Sequence, residues 1–537
     1  MGAPTTPIAL PRRFNAATRF VDEHPARGRD ATVAIVHDGA EITYGTVARN
    51  VNRAGNALRT LGVGLEQRVV LLLHDGPEFV YAFWGAIKIG AVPVPTNTLL
   101  KPHDIEYILN DSRAGVAVVS PALAWEVAQA RDRVPTLRHI VVAGKAEAGM
   151  LSFAEMTDAS SAELDPAATT ADDVAFWLYT SGTTGVPKGV VHLQHDMVVC
   201  AETYGRHILE IEHGDRCFSI AKLFFAYGLG NSLYFPFYVG ASTVLDPQRP
   251  EPAHVFDVIE RTQPTLFFGV PTAFAALLQE AGRSAPSLGV VRRCLSAGEP
   301  LPRAIFERWL ARFGVEILDG IGTTEMCHTF IANRGGGVRP GSSGTLVPGY
   351  DARIEDEHGR GVEAGEIGNL LVCGDSCCSG YWNQHERTKE TIRGEWIRTG
   401  DKYVRDEDGF FWYAGRSDDM IKAGGIWVSP SEVEATLMEH PAVLEAAVVA
   451  TFDADHLEKP VAFVVPVDAS RGTPSLASEL REHVKARLAP YKCPRWVAFV
   501  GTLPKTATGK IQRFKLRELA TSDGASAEHA PTGSLGS

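Results

Sequence analysis

Residues 179–189 read YTSGTTGVPKG, a composition suited to one chemical task, the holding of phosphate oxygens. Phosphates need several short hydrogen-bond donors converging on one point. Thr180, Ser181, Thr183 and Thr184 supply hydroxyls, Gly182 lets backbone N–H groups approach closely, and Lys188 adds positive charge. The segment is not a Walker loop, in which the lysine is followed by serine or threonine. Here Lys188 stands between Pro187 and Gly189. A plain polar turn would not need this density of donors. The cysteines offer less. There are eight, and only Cys373, Cys377 and Cys378 cluster, without a second Cys-x-x-Cys pair nearby. They read as free thiols in a reducing cytoplasm rather than as a metal site or a disulfide scaffold.

Such a loop must be carried by rigid elements. Short apolar runs at 68–74, 115–120, 266–270, 291–295 and 368–372 alternate with helix-like stretches such as 78–89. Continuous apolar strands between helices indicate sheets covered on both faces, hence an α/β fold. No fixed-period repeat is present, which excludes a solenoid or propeller. Residues 415–419 (GRSDD) mark a boundary. After them the pattern reads strand at 420–421, turn at Gly424 and Gly425, helix at 430–438, strands at 446–451 and 461–467, and helix at 476–488. That is a compact α+β unit of about a hundred residues. The predicted organisation is a large, multi-subdomain N-terminal domain with α/β-layered sheets over 1–416, a small mobile α+β C-terminal domain over 417–520, and a disordered tail over 521–537, rich in Ser, Ala, Gly and Pro.

The length, 537 residues, allows about three or four folding units and ample core. With 52 basic against 64 acidic residues the net charge is −12, which argues against nucleic acid and anionic membranes as partners. No apolar run approaches the ~18–20 residues of a membrane span. No apolar segment follows Arg12 and Arg13, so no secretory signal is expected. Gly2 and Thr6 fit a myristoylation pattern too short and degenerate to carry weight.

Residues 179–189 closely resemble the signature of the adenylate-forming superfamily, which includes acyl-CoA synthetases, peptide-synthetase adenylation domains and beetle luciferases. The resemblance continues in order through 319–325 (DGIGTTE), 398–401 (RTGD), 415–422 (GRSDDMIK) and 504–510 (PKTATGK). It implies ATP, Mg²⁺ and coenzyme A as co-substrates and cofactor, and a carboxylate attacking the α-phosphorus of ATP. The reactants are both anions, so cations must offset their repulsion. By resemblance Lys510 is the catalytic lysine bridging the acid and the α-phosphate. Glu325 holds Mg²⁺, a hard ion suited to carboxylate and phosphate oxygens. Asp319 and Gly320 belong to the nucleotide segment, Thr324 hydrogen-bonds the α-phosphate, and Asp401 accepts from both ribose hydroxyls with Arg416 behind it. Ala297, Gly298 and Glu299 line the adenine. Many members place a tyrosine where this chain has Ile321, so adenine packing is aliphatic on that side. Asp418 is the hinge about which the small domain rotates between half-reactions, bringing Lys422 and the Gly424–Gly425 turn to the site for thioester formation.

The acid is read from two further segments. Peptide-synthetase domains keep an aspartate for the substrate's ammonium group, but residues 222–230 (KLFFAYGLG) contain no acid, which disfavours α-amino acids. Together with residues 324–330 (TEMCHTF), this segment resembles benzoate-type aryl-CoA ligases, whose aryl pocket matches Ala226, Tyr227, Gly322 and His328. Tyr227 is expected as a flat wall and Gly322 as room for a ring edge. Thr329 stands where an aliphatic residue is commoner and points to a hydroxy- or amino-substituted ring. Residues 373–376 (CGDS) superficially match a carrier attachment site, but they fall at a strand end, so free coenzyme A is the expected thiol. The expected activity is an ATP-dependent aromatic acid–CoA ligase, in a cytoplasmic monomer or homodimer. Competing readings are an enzyme loading a separate carrier protein, a ligase for another small acid, a luciferase-like oxidase, and a non-catalytic nucleotide sensor. The last has no need of Lys510 and Glu325.

Overall fold

The computed structural model describes residues 8–181, 187–284, 287–417, 419–423, 426–452, 458–505 and 511–522. Two large sheets with parallel cores build the N-terminal part. In the first, five strands lie in the order Val92–Pro95, Arg68–Leu72, Val116–Val119, His139–Val142 and Leu151–Ser152, all parallel. Val69 to Leu72 and Val116 to Val119 are buried along their whole length. Burial on both faces is why these strands are continuous apolar runs rather than alternating ones.

The second sheet has nine strands. Its parallel centre runs Ser242–Val244, Arg216–Ser219, Leu266–Gly269, Arg293–Ser296 and Ile317–Gly322. The chain then reverses into the antiparallel strand Thr329–Ala332. Helices Pro252–Thr262 and Arg303–Phe313 bury apolar stripes, Val255, Phe256 and Ile259 in one and Ile305, Phe306 and Trp309 in the other. The parallel register has a functional consequence. Residues 220–230, 297–299 and 323–325 all leave carboxyl ends of neighbouring strands, at the edge where open α/β sheets bind ligands.

An antiparallel sheet, Asp351–Glu355, Gly368–Cys373, Trp396–Arg405 and Ile392–Arg393, with Phe411–Arg416 paired to Trp396–Arg405, follows in sequence. The hairpin Val174–Ser181 and Pro187–Leu193, extended by Gly380–Tyr381, stands apart as a three-stranded sheet.

The C-terminal unit pairs Val443–Phe452, Glu458–Pro466 and Val497–Phe499 beneath helices Pro430–Met438 and Pro474–Lys485. It has an apolar core of its own, with Ile421, Val433, Leu437, Val448, Val464 and Leu480. The helix expected at 476–488 starts at Pro474, where the Thr473 hydroxyl caps the Leu476 amide, and ends at Lys485 before the Pro490–Lys492 turn. A last helix, Arg513–Ser522, runs past Ala520, where composition alone gives a disordered tail. Burial of Leu516 and Ala520 explains it: the helix is pinned to the small unit's second core. Residues 523–537 lie outside the described residues. Among the described residues no helix is long and apolar enough to cross a membrane.

Candidate active site

The described ends of segment 179–189 lie on paired strands, where Thr180 pairs with Lys188 and Ser181 with Pro187. Pro187, lacking an N–H, is tolerated as the first residue of its strand. Gly182, Thr183 and Thr184 lie outside the described residues, and of Ser181 only the backbone is described. The Lys188 ammonium stands 4.4 Å from the centre of the Tyr381 ring. Burial holds its pKa below the ordinary lysine value; Glu325 opposes that shift, while Arg387 and Arg416 add to it. Lys188, Glu325 and Arg416 therefore share one electrostatic neighbourhood.

Glu325 is in the short 3₁₀ turn Thr324–Met326, entered from the strand Ile317–Gly322. The Thr323 hydroxyl caps the turn by accepting from the Met326 amide at 3.2 Å. The turn is also held from behind. His192, fully buried, meets the Asp196 carboxylate through Nδ1 at 2.7 Å and donates from Nε2 to the Thr324 carbonyl at 2.7 Å. The Cys378 amide donates to the Glu325 carbonyl at 2.8 Å. Tyr381 donates its hydroxyl to Glu325 Oε1 at 2.7 Å. Among the described residues no three metal-ligating side chains converge. A divalent ion here would take one carboxylate, Glu325, and draw its other ligands from phosphates and water, a donor set that fits Mg²⁺.

Asp319 lies on the same strand, buried, accepting from the Leu301 amide at 3.3 Å. Burial pushes its carboxyl up to about 8. Gly320 follows it, and Ile321 faces Ile331 across the antiparallel pair. Ala297, buried, and Gly298 and Glu299 leave the adjacent strand Arg293–Ser296. Asp401 and Arg416 pair across the strands Trp396–Arg405 and Phe411–Arg416, where Arg416 Nη1 donates to Asp401 Oδ1 at 3.1 Å. Gly400 permits this: a Cβ there would meet Arg416 Nη2 at 2.9 Å. The buried Tyr403 phenol is pushed up first by desolvation and then by the Asp401 carboxylate, and its hydroxyl is bonded to Ser343 Oγ at 3.0 Å.

On the acid side, Ala226 and Tyr227 open the short helix Ala226–Leu229, both partly exposed. His328 donates from Nε2 to the Tyr227 carbonyl at 3.2 Å, and its Nδ1 lies 3.0 Å from Thr329 Oγ1. Since Nε2 faces a carbonyl, Nδ1 is the acceptor of the neutral ring and Thr329 the donor. Desolvation lowers the His328 pKa to about 3, so the ring is uncharged at neutral pH. Tyr227, Tyr204 and Phe235 surround it, with ring centres at 5.6, 5.4 and 4.6 Å. Two sequence expectations take a different shape here. The absent side chain of Gly322 answers to the fold: a Cβ would meet the His328 carbonyl oxygen at 2.4 Å. The Thr329 hydroxyl is engaged by His328, so its departure from an aliphatic residue has a reason inside the protein.

Lys510, Asp418, Gly424 and Gly425 lie outside the described residues. Of Lys422 only the backbone is described, in the strand Ile421–Ala423 paired with Ile426–Val428. Ser376 is buried, donating to the Met326 carbonyl at 2.8 Å and bonded to the Tyr350 hydroxyl at 2.7 Å, an environment that leaves no room for a carrier arm. All eight cysteines are free thiols. Sequence reasoning missed Tyr381, His192, Tyr204 and Phe235. Each reaches the site through a non-local contact that no local pattern announces.

Two family models match the chain: the AMP-binding enzyme model over residues 21–382 and the AMP-binding enzyme C-terminal domain model over 432–510. The benzoate–CoA ligase of Thauera aromatica is 51% identical, with 95% of this chain and 97% of that protein covered. The 4-hydroxybenzoate–CoA/benzoate–CoA ligase of Rhodopseudomonas palustris is 45% identical, with 97% of each covered. Among solved structures, the anthranilate CoA ligase AuaEII in complex with anthranoyl-AMP superposes with a TM-score of 0.91 at 44% identity, covering 95% of this chain and 98% of that one. A benzoate CoA ligase from Burkholderia xenovorans LB400 gives a TM-score of 0.88 at 45% identity, covering 94% and 100%. With the ordered motifs, the two-part architecture and these full-length likenesses together, the chain belongs to the AMP-binding enzyme family.

Proposed function

We propose that this protein is an ATP-dependent aromatic carboxylic acid–CoA ligase acting on benzoate or a substituted benzoate. The observation that carries the reading is the full-length likeness to the benzoate–CoA ligase of Thauera aromatica. The neutral, aromatic-lined setting of His328 supports it, since an uncharged wall suits a ring and not an ammonium group.

In the first half-reaction a carboxylate oxygen of the acid attacks the α-phosphorus of ATP and the bond to pyrophosphate breaks, leaving an acyl-adenylate. Lys188 and the donors of 179–189 hold the phosphates; Glu325 would hold Mg²⁺, which would supply positive charge to the phosphate oxygens. Asp401, oriented by Arg416, takes the ribose hydroxyls. Asp319 and residues 297–299 take the adenine. Lys510 bridges acid and α-phosphate. In the second half-reaction the small domain, 417–520, turns about Asp418 and brings Lys422, Gly424 and Gly425 to the site. The CoA thiolate then attacks the acyl carbon and AMP leaves. Free cysteines support a reducing cytoplasm as the place of work.

Product analysis tests the reading. With ATP, Mg²⁺, benzoate and free CoA, AMP, pyrophosphate and benzoyl-CoA should form in equal amounts. Acyl-adenylate that accumulates and transfers only to a carrier protein would overturn the choice of free CoA as acceptor.

A further inference from the structure

Tyr381 has no role in the chemistry above, yet it touches two groups that do. Its hydroxyl donates to Glu325 Oε1 at 2.7 Å, and the Lys188 ammonium lies 4.4 Å from its ring centre. The residue is itself rigidly held. Its strand Gly380–Tyr381 pairs with Pro187–Leu193, placing Tyr381 opposite Val190 on the strand that carries Lys188. Its amide donates to Thr388 Oγ1 at 3.0 Å, and the ring is buried. The next residue anchors the other side: Trp382 donates from its amide to the Gly189 carbonyl at 2.8 Å and from Nε1 to the Asp111 carbonyl at 2.9 Å.

A carboxylate beside an ammonium would ordinarily form a direct ion pair and close the space a phosphate and its metal must enter. Here the Tyr381 side chain contacts both groups. Its edge hydroxyl fixes one carboxylate oxygen and its face receives the cation. We propose that Tyr381 is a positioning residue that orients Glu325 for a divalent ion and seats Lys188 on the phosphate path. The proposal rests on the adenylating reading of the site.

The test is Mn²⁺ titration, followed by electron paramagnetic resonance, of the full chain with a non-hydrolysable ATP analogue. Tyr381→Phe keeps the ring and loses the hydroxyl. It should weaken Mn²⁺ binding by about tenfold, the scale of losing a metal ligand's hydrogen-bond partner. Glu325→Gln should weaken it more. Thermal unfolding of Tyr381→Phe should match the native protein, and the Mg²⁺ concentration giving half-maximal pyrophosphate–ATP exchange should rise by a similar factor. Native Mn²⁺ affinity in Tyr381→Phe would overturn the proposal. Native protein that binds Mn²⁺ in a Tyr381-dependent way but turns over neither benzoate nor its hydroxy and amino derivatives would instead sink the ligase reading and leave Tyr381 its role.

Discussion

Asp319 shows how a single buried side chain sets a pH signature. Its folded pKa, about 8, stands above the ordinary 3.8 because burial penalises the carboxylate. The folded protein therefore binds this proton more tightly than the unfolded chain, and stability falls as pH rises from about 4 to about 8. Asp319→Asn cannot ionise, so it should gain thermal stability over the native protein progressively between pH 5 and pH 8. A constant difference across that range would contradict the assignment. His328 works with the opposite sign. Its pKa is lowered to about 3, so its stabilising contribution is complete above the ordinary 6.5 and is lost as pH falls below it.

The strand Thr329–Ala332 and the helix Ala226–Leu229 meet through His328, and the contact depends on one hydroxyl. Thr329→Val keeps the shape but leaves His328 Nδ1 buried without a donor, at a cost of about 1–3 kcal/mol. Thr329→Ser should keep most of that stability. Chemical denaturation of the two variants separates them; loss in Thr329→Ser but not in Thr329→Val would show that methyl packing, not the hydroxyl, matters. Elements of this kind differ in how far the sequence announces them. Residues 69–72 and strand Val116–Val119 are legible because burial on both faces makes them apolar throughout. Helix Arg513–Ser522 is not, because it is short and mostly polar and, among its described side chains, only Leu516 and Ala520 are fully buried. The hairpin carrying Lys188 was legible as a donor-rich loop through its local composition. Tyr381, 56 residues from Glu325, was not, since cross-chain pairing alone brings it there.

At the scale of the molecule, the proposed mechanism has two half-reactions share one site, with the small domain moving between them. Proline fixes φ, so Asp418→Pro should lock the adenylating pose. Pyrophosphate–ATP exchange should survive while CoA transfer collapses. Lys510→Ala should do the reverse, cutting adenylation by about a hundredfold or more while sparing thioester formation from ready-made acyl-AMP. Loss of both half-reactions in both variants would remove the hinge and lysine assignments. The proposed pocket also restricts the acid. A ring would lose little rotamer freedom beside Tyr227 and Ala226, whereas a long acyl chain would lose much and need a tunnel. The central claim is therefore tested most directly by kcat/KM for benzoate, its hydroxy and amino derivatives, and a C8–C12 fatty acid, read as AMP release with ATP and CoA. The account predicts that benzoate or one of its substituted forms is preferred over the fatty acid. A fatty acid preferred over every benzoate would contradict it.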